Sequence, residues 1–466
     1  MNIKQLLKNF SYTILSNLLS LVVSTLVVLI VPKLIGIQDY GYWQLYLFYT
    51  TYVGIFHLGW FDGIYLRYGG EYYDNLDKEK FNSQFILSML LELALALAIV
   101  SFSFLIKDNN KSYIIFMTAI TMILTNMGQF FLYILQITNQ IRRYATYTIL
   151  GRIFYFILIV LILLLGIRSF KVLILADIFS RIISLIYGIY CCRDIVFKRI
   201  DVRIENVKEA YINITTGIKL LIANFASNLV IGVIRFGIQR FWGVAVFGKI
   251  SLTLSISNLL MTFISAISLV LFPTLRRIKT DVTRIYTDLR IILITILLVG
   301  LVVYFPIQLI LPMWLPKYKE SLVYMAILFP MCLFDGKFEI LINTFMKTLR
   351  LEKQLLILNL FSVFLSAILT VANIYVFRNL TLMMFSIVLV LGVRSTIGEI
   401  ILWKYLKTNE IKQLILEIMI VCYFICVTWY LSLGMAFVLY MGVLIIYILS
   451  HFKKIKKAVN EFNSIN

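Results

Sequence analysis

Uninterrupted apolar runs of 18 or more residues recur from one end of this 466-residue chain to the other. Each is long enough to cross a hydrocarbon core of about 30 Å as a helix. A backbone in lipid must satisfy its own hydrogen bonds, which leaves helices and closed barrels. The alternating ten-residue segments of a barrel are absent, so the expected fold is an all-α polytopic membrane protein. Composition agrees: 61% of residues are hydrophobic and 14% charged, with a mean hydropathy of +0.93. That is more apolar surface than a water-soluble chain of this length can hide.

Lys4 and Lys8 precede an apolar run too long for the core of a signal peptide, and no Ala-x-Ala-like site follows; this reads as a retained first helix. The runs predict spans near 11–35, 40–65, 82–106, 112–137, 145–167 and 171–192. After a polar interval they continue near 214–239, 246–274, 288–312, 320–346, 354–377, 380–405, 411–431 and 433–451, about fourteen in all. Only Ser432–Gly434 divides the last two.

Charge predicts orientation. With the N-terminus inside, the inner connections and both termini carry 27 Lys and Arg and the outer connections 10. Connections this short obey the positive-inside rule, so both termini are expected to be cytoplasmic. The net charge of +20 is mostly this signal. Attraction of juxtamembrane Lys and Arg to anionic lipid, at about 1 kcal/mol each, accounts for it without a nucleic-acid partner. The cluster Lys453, Lys454, Lys456 and Lys457 is read the same way.

The main break is the basic interval 193–213, whose apolar positions Ile195, Val196, Ile200, Val202 and Ile204 suggest interfacial chain. The expected organisation is a six-helix lobe over 1–192, that linker, a second six-helix lobe over 214–408, and two extra helices with a basic tail over 409–466. A shift of 207 residues supports a repeat: nine of 58 positions are identical, among them Gly36 on Gly243 and Gly41 on Gly248, with Tyr40 falling on Phe247. Six spans between copies makes the repeat parallel. Within the first copy, a Gly-rich turn at 36–41 joins two long apolar segments, so the two are expected to lie antiparallel and side by side.

Pro32-x-x-x-Gly36-x-x-x-Tyr40-Gly41, then Leu58-Gly59…Gly63…Arg67, and Gly243-x-x-x-Phe247-Gly248 resemble the Wzx-type flippases of polysaccharide biosynthesis. Their superfamily also holds the lipid II flippases and the MATE drug exporters. The resemblance is carried by spans one, two, seven and eight; elsewhere it is the number and character of spans. It implies two lobes around a cavity that opens to either side in turn, and a transporter rather than an enzyme. The implied substrate is an undecaprenyl-pyrophosphate-linked oligosaccharide (an O-antigen, capsule or exopolysaccharide unit) crossing the bacterial cytoplasmic membrane. Membrane lipids, a polysaccharide polymerase and a chain-length regulator are the implied partners. No cofactor is implied, though a proton or sodium gradient can drive transport. Family members often carry an acid just before the basic residue of the seventh span; here the pair is Ile234-Arg235, so a role resting on that acid does not transfer.

Charges inside spans are costly unless paired or functional. A pyrophosphate path calls for cations, Arg for bidentate contact and Lys as a point charge. The candidates are Arg152, Arg181, Lys219 and Arg235. Asp177, one helical turn before Arg181, can simply neutralise it, and Lys219 and Arg235 lie close enough to span ends to snorkel. Lys337 stands between Asp335 and Glu339 as a local network, and Arg394 and Glu399 are each expected to serve interhelical pairing. Asp62, Glu92 and Asp335 are the ion-coupling candidates, with Glu92 near mid-span and without a basic neighbour on its helix. The glycines and aromatics of the two turns, with Pro32, are candidate gate elements. His57 reads as structural. The five cysteines form no metal or disulfide pattern, and no P-loop is present. Two rival functions stay open: an ion-coupled drug exporter, which calls for acids in the cavity, and a glycan polymerase or ligase, which calls for a large outer loop.

Overall fold

The computed structural model describes residues 3–198, 204–277 and 282–464. Ile200, Val202, Arg199 and Arg203 of the expected linker, and Asp281 of the repeat, lie outside them. The described residues form helices and no strand. The chain divides into two compact units, Met1–Phe225 and Ala226–Asn466.

The first unit contains α1 (Ile3–Leu34), α2 (Ile37–Thr50), α3 (Trp60–Tyr68), α4 (Lys78–Ser103), α5 (Asn109–Ile137), α6 (Ile141–Leu164), α7 (Phe170–Cys191) and the opening of α8 (Ile204–Arg277). Polar caps start several of them. Asp77 accepts from Glu79 N and Lys80 N, Asp108 from Asn110 N and Lys111 N, and Ser169 from Lys171 N, each satisfying donors the first turn leaves free. α4 packs on α5, α6 on α7, and α5 on α7.

The expected second span is not one helix. It breaks between Thr51 and Gly59 through a 3-10 turn, Val53–His57, with Leu58 at φ 55° and Gly59 at φ 80°. Thr50 and Thr51 both turn their hydroxyls back to the Leu47 carbonyl, and such side-chain bonds compete with helix continuation. The break also corrects the expected side-by-side pair. α2 packs on α5 and α7, while α1 lies along α6.

α3 and the start of α8 meet backbone to backbone. A methyl group at Gly63 would sit 1.9 Å from the Asn213 carbonyl oxygen, and one at Gly217 would sit 2.0 Å from the Gly59 carbonyl oxygen. Around this crossing, Arg67 donates to Glu209 (2.6 Å) and to Asn213 Oδ1 (2.6 Å). Tyr68 OH also donates to Glu209 (2.6 Å), and Lys80 pairs with it at 3.2 Å. Gln84 donates to the Asn206 carbonyl.

In the second unit, α8 folds back on itself. Arg235 Nη2 donates to Ser251 Oγ at 3.0 Å, whereas 16 residues of straight helix would separate them by about 24 Å. The reversal is at Gly243, φ 83° and ψ 175°, a conformation that disfavours a side chain. Its repeat counterpart Gly36 has φ −70°, open to any residue. The unit continues through α9 (Val282–Gly300), α10 (Tyr304–Trp314), α11 (Met331–Lys337), α12 (Glu352–Ala372), α13 (Leu380–Leu406), α14 (Ile411–Tyr430) and α15 (Leu433–Ser464). The expected span at 320–346 is a series of short helical pieces interrupted by a π-turn, Phe338–Asn343, before a last helical piece, Thr344–Thr348. The last two spans are separate helices, parted by Leu431 in extended conformation. Tyr304, Phe424 and Tyr440 stack edge to face between α10, α14 and α15, and Tyr440 OH donates to the Leu298 carbonyl at 2.8 Å.

Ten of the described helical segments are long and apolar enough to cross a membrane. The difference from fourteen has identifiable sources: the first run, within α1 (Ile3–Leu34), is not counted among the ten. The second and tenth runs are broken, and the seventh and eighth share α8.

The α3–α8 crossing predicts that Gly63→Ala and Gly217→Ala each destabilise the protein by about 1–3 kcal/mol or more, as overpacking does. Gly300→Ala, with open space around it, is expected to be nearly neutral; thermal unfolding in detergent distinguishes them.

Candidate functional site

Three neighbouring helices of the first unit leave a cavity of about 320 Å³ between them. α5 contributes Thr125, Gly128 and Gln129; α6 contributes Tyr147, Gly151 and Arg152; α7 contributes Asp177, Ser180, Arg181 and Ser184. Two glycines keep it open. A methyl group at Gly128 would lie 2.2 Å from Tyr147 OH, and one at Gly151 would lie 2.4 Å from Ser184 Oγ. The lining is thus hydroxyl-rich where apolar side chains would fill an ordinary helix interface.

Its electrostatics are unequal. Arg181 Nε donates to Asp177 Oδ2 at 2.8 Å and Arg181 Nη1 to Thr125 Oγ1 at 2.8 Å. The same Asp177 oxygen accepts from Tyr46 OH at 2.6 Å, and Tyr46 also bonds Thr121. Arg181 and Asp177 therefore neutralise each other, as their spacing allows. Arg152 enters the cavity without a carboxylate at ion-pair distance among the described residues. Two guanidiniums against one carboxylate leave the site with an excess positive charge.

The other cationic candidates are placed elsewhere. Lys219 is exposed on α8. Arg235, in the second unit, bonds Ser251 and lies 5.3 Å from the Phe247 ring centroid across the Gly243 reversal. Among the turn residues, Pro32, Tyr40, Gly41, Phe247 and Gly248 are buried and Gly36 is exposed. Asp62 accepts from Tyr133 OH at 3.1 Å, with His57 Nε2 at 3.8 Å; His57 Nδ1 accepts from Gly59 N. Glu92 accepts from Asn126. Asp335 is bonded by Arg394, whose guanidinium lies 3.9 Å from the Phe338 ring centroid.

The sequence matches the polysaccharide biosynthesis protein family over residues 6–279. The chain belongs to that family. No curated protein matches it in sequence. In structure, this polysaccharide biosynthesis family member is similar to the lipid II flippase MurJ in an inward closed conformation. The TM-score is 0.66 at 15% identity, over 95% of this chain and 98% of that one. It is also similar to a multidrug resistance MATE family transporter of the MOP superfamily in an inward-facing conformation. There the TM-score is 0.61 at 15% identity, over 84% of this chain and 99% of that one. At these identities the likeness is one of fold, and the fold is that of membrane transporters.

The largest electrostatic feature of this family member escapes its sequence. Arg290 of α9, Lys337 of α11, Glu399 of α13 and Glu417 of α14 form a quartet with side chains no more than 1% exposed. Arg290 Nε donates to Glu399 at 2.6 Å and Arg290 Nη2 to Glu417 at 3.4 Å. Lys337 Nζ donates to Glu399 at 2.9 Å and to Glu417 at 2.6 Å. One expectation is corrected: Lys337 reaches across helices rather than to Asp335 and Glu339. Arg394 and Glu399 each pair between helices as expected, Arg394 with Asp335 and Glu399 with Arg290 and Lys337. Arg290 is one of the 27 basic residues that the sequence places in inner connections and termini, and Glu417 is not among the in-span charges named above. The available signals were the apolar neighbours Leu289 and Ile291, and the isolation of Glu417 in an apolar run.

Removing one member of a buried charge cluster leaves an uncompensated charge, at a cost of about 3–5 kcal/mol. Glu417→Ala is expected to show that loss in unfolding titrations. Lys337→Met combined with Glu417→Leu, which takes out one charge of each sign, is expected to recover most of it.

Proposed function

We propose that the chain is a flippase for an undecaprenyl-pyrophosphate-linked oligosaccharide, moving its headgroup across the bacterial cytoplasmic membrane by alternating access. The observation that carries this reading is Arg152, a guanidinium without a carboxylate partner in a hydroxyl-lined cavity of about 320 Å³. A cation at the cavity wall, solvent-accessible and with no carboxylate at ion-pair distance among the described residues, is suited to an anionic group on what the chain carries. Arg offers a planar fork for phosphate or a uronic carboxylate, and Tyr147, Thr125 and Ser184 offer the hydroxyl contacts a sugar requires. The volume falls at the lower end of the range for small-ligand sites and suits part of a headgroup, while the polyprenyl tail stays in lipid.

Membership of the polysaccharide biosynthesis family supports the substrate class. The positive-inside bias supports cytoplasmic termini, and the residue-207 repeat supports two lobes, 1–192 and 214–408, with the helices of 409–466 added to the second. Arg181 holds the cavity wall through Asp177 and Thr125, and Arg235 and Lys219 serve as further cations on the path. A polymerase and a chain-length regulator are the expected partners downstream. A cationic-drug exporter calls for acid in excess, and this cavity has the opposite balance.

A charge-assisted hydrogen bond contributes about 1.5–3 kcal/mol. Arg152→Gln is therefore expected to lower surface polysaccharide about tenfold or more in a complemented deletion strain. Arg152→Lys is expected to retain part of it, since it keeps the charge and loses the fork. Wild-type polysaccharide from Arg152→Gln at equal expression would overturn the assignment.

A further inference from the structure

Glu92 is the fifteenth residue of the 26-residue α4, about 21 Å along the helix from its start, and its residue is 1% exposed. Its Oε1 accepts from Asn126 Nδ2 at 2.7 Å. Its Oε2 is buried without a hydrogen-bond partner. The same Asn126 nitrogen donates to the Val53 carbonyl at 3.1 Å. Val53 opens the 3-10 turn at which the second span breaks. Ala96 and Met122, one helical turn from Glu92 and Asn126, belong to a closed apolar cluster with Val53 and Ala119. One amide thus ties a mid-membrane carboxyl to the irregular backbone of a discontinuous helix.

The other buried acids are accounted for. Asp177, Asp335, Glu399 and Glu417 each face an Arg or Lys. The titratable side chains on the elements around Glu92 are engaged with other groups. On the broken span, His57 and Asp62 face each other, and Tyr133 of α5 donates to Asp62. On α5, Lys111 pairs with Asp108, and on α4, Lys80 pairs with Glu209. Asn126 is the group that bonds Glu92. A carboxylate ion left without a cation in such a place costs several kcal/mol, which favours the neutral acid.

We propose that Glu92 is a proton-binding site coupled to the break in the second span. Hydronium delivers its proton to Oε2 and leaves as water, giving the neutral acid of the closed arrangement. Loss of that proton creates a carboxylate for which Asn126 is a single donor, and the ion draws in water or new donors. The adjacent segment at 51–59 is the one able to give way, since it is a five-residue 3-10 turn, Val53–His57, closed by Leu58 and Gly59 in left-handed conformation rather than a continuous α-helix. A metal cation fits the site poorly. The Val53 carbonyl can only accept, so Asn126 must present its NH₂ to both oxygens, and that donor faces the position a cation would take.

The site itself is tested without any substrate; only the use of the proton for transport rests on the flippase reading. Infrared difference spectra of the full-length protein in phospholipid vesicles, taken between acidic and alkaline buffer, are expected to show a protonated-carboxyl C=O band. The band should be absent in Glu92→Gln and shifted in Asn126→Ala. A band unchanged in Glu92→Gln, or one that responds to sodium at constant pH, would overturn the proton site. In cells, Glu92→Gln is expected to lose the sensitivity of surface polysaccharide to a protonophore, and wild-type sensitivity would overturn the coupling. If Arg152→Gln leaves polysaccharide intact while the band still depends on Glu92, the flippase reading fails and the proton site stands.

Discussion

A charge carried into the hydrocarbon layer has to be neutralised by the chain, by a ligand or by a proton, and the internal structure of this protein follows from how each charge solves that problem. Arg181 solves it locally with Asp177, one turn away on the same helix. Arg290, Lys337, Glu399 and Glu417 solve it collectively, drawing four helices to one point. Arg394 takes Asp335 and stacks on Phe338. Among the described residues of the first unit, Arg152 has no acid at ion-pair distance and Glu92 no base. The functional readings rest on those two remainders.

Much of this was legible in the sequence. Apolar runs of membrane length place the helices, and a shared Gly-x-x-x-[Tyr/Phe]-Gly marks both turns. The Asp177–Arg181 pair can be read from a spacing of four, because a helix puts those side chains on one face. Glu92 stands out by having no basic neighbour on its helix. The quartet could not be read this way: its bonded pairs are separated by 62 to 127 residues, and a single sequence says nothing about which helices meet. Apolarity also hides irregularity. The runs at 40–65 and 320–346 have the composition of helices, yet one breaks at Leu58–Gly59 and the other winds into a π-turn. Packing and side-chain competition decide there, not hydropathy.

The two repeat copies have also diverged in the physical demand placed on the same glycine. Gly36 caps a helix at an ordinary φ, whereas Gly243 reverses the chain at φ 83°. The second turn is the tighter device, and it brings Arg235 over Phe247. A matching motif therefore marks a common position in the fold without fixing a common conformation.

The quartet bears on where this protein can be shortened. Glu417 belongs to α14, the first of the last two helices, yet it supplies one of the two negative charges that Arg290 and Lys337 need. A chain ending after residue 408 would keep both cations and lose half of their counter-charge inside the membrane. The terminal helices are consequently no detachable appendage. They complete a circuit of charge that Arg290 and Lys337 leave open without Glu417, and a lineage that acquired this circuit could not afterwards discard the pair without first removing a cation.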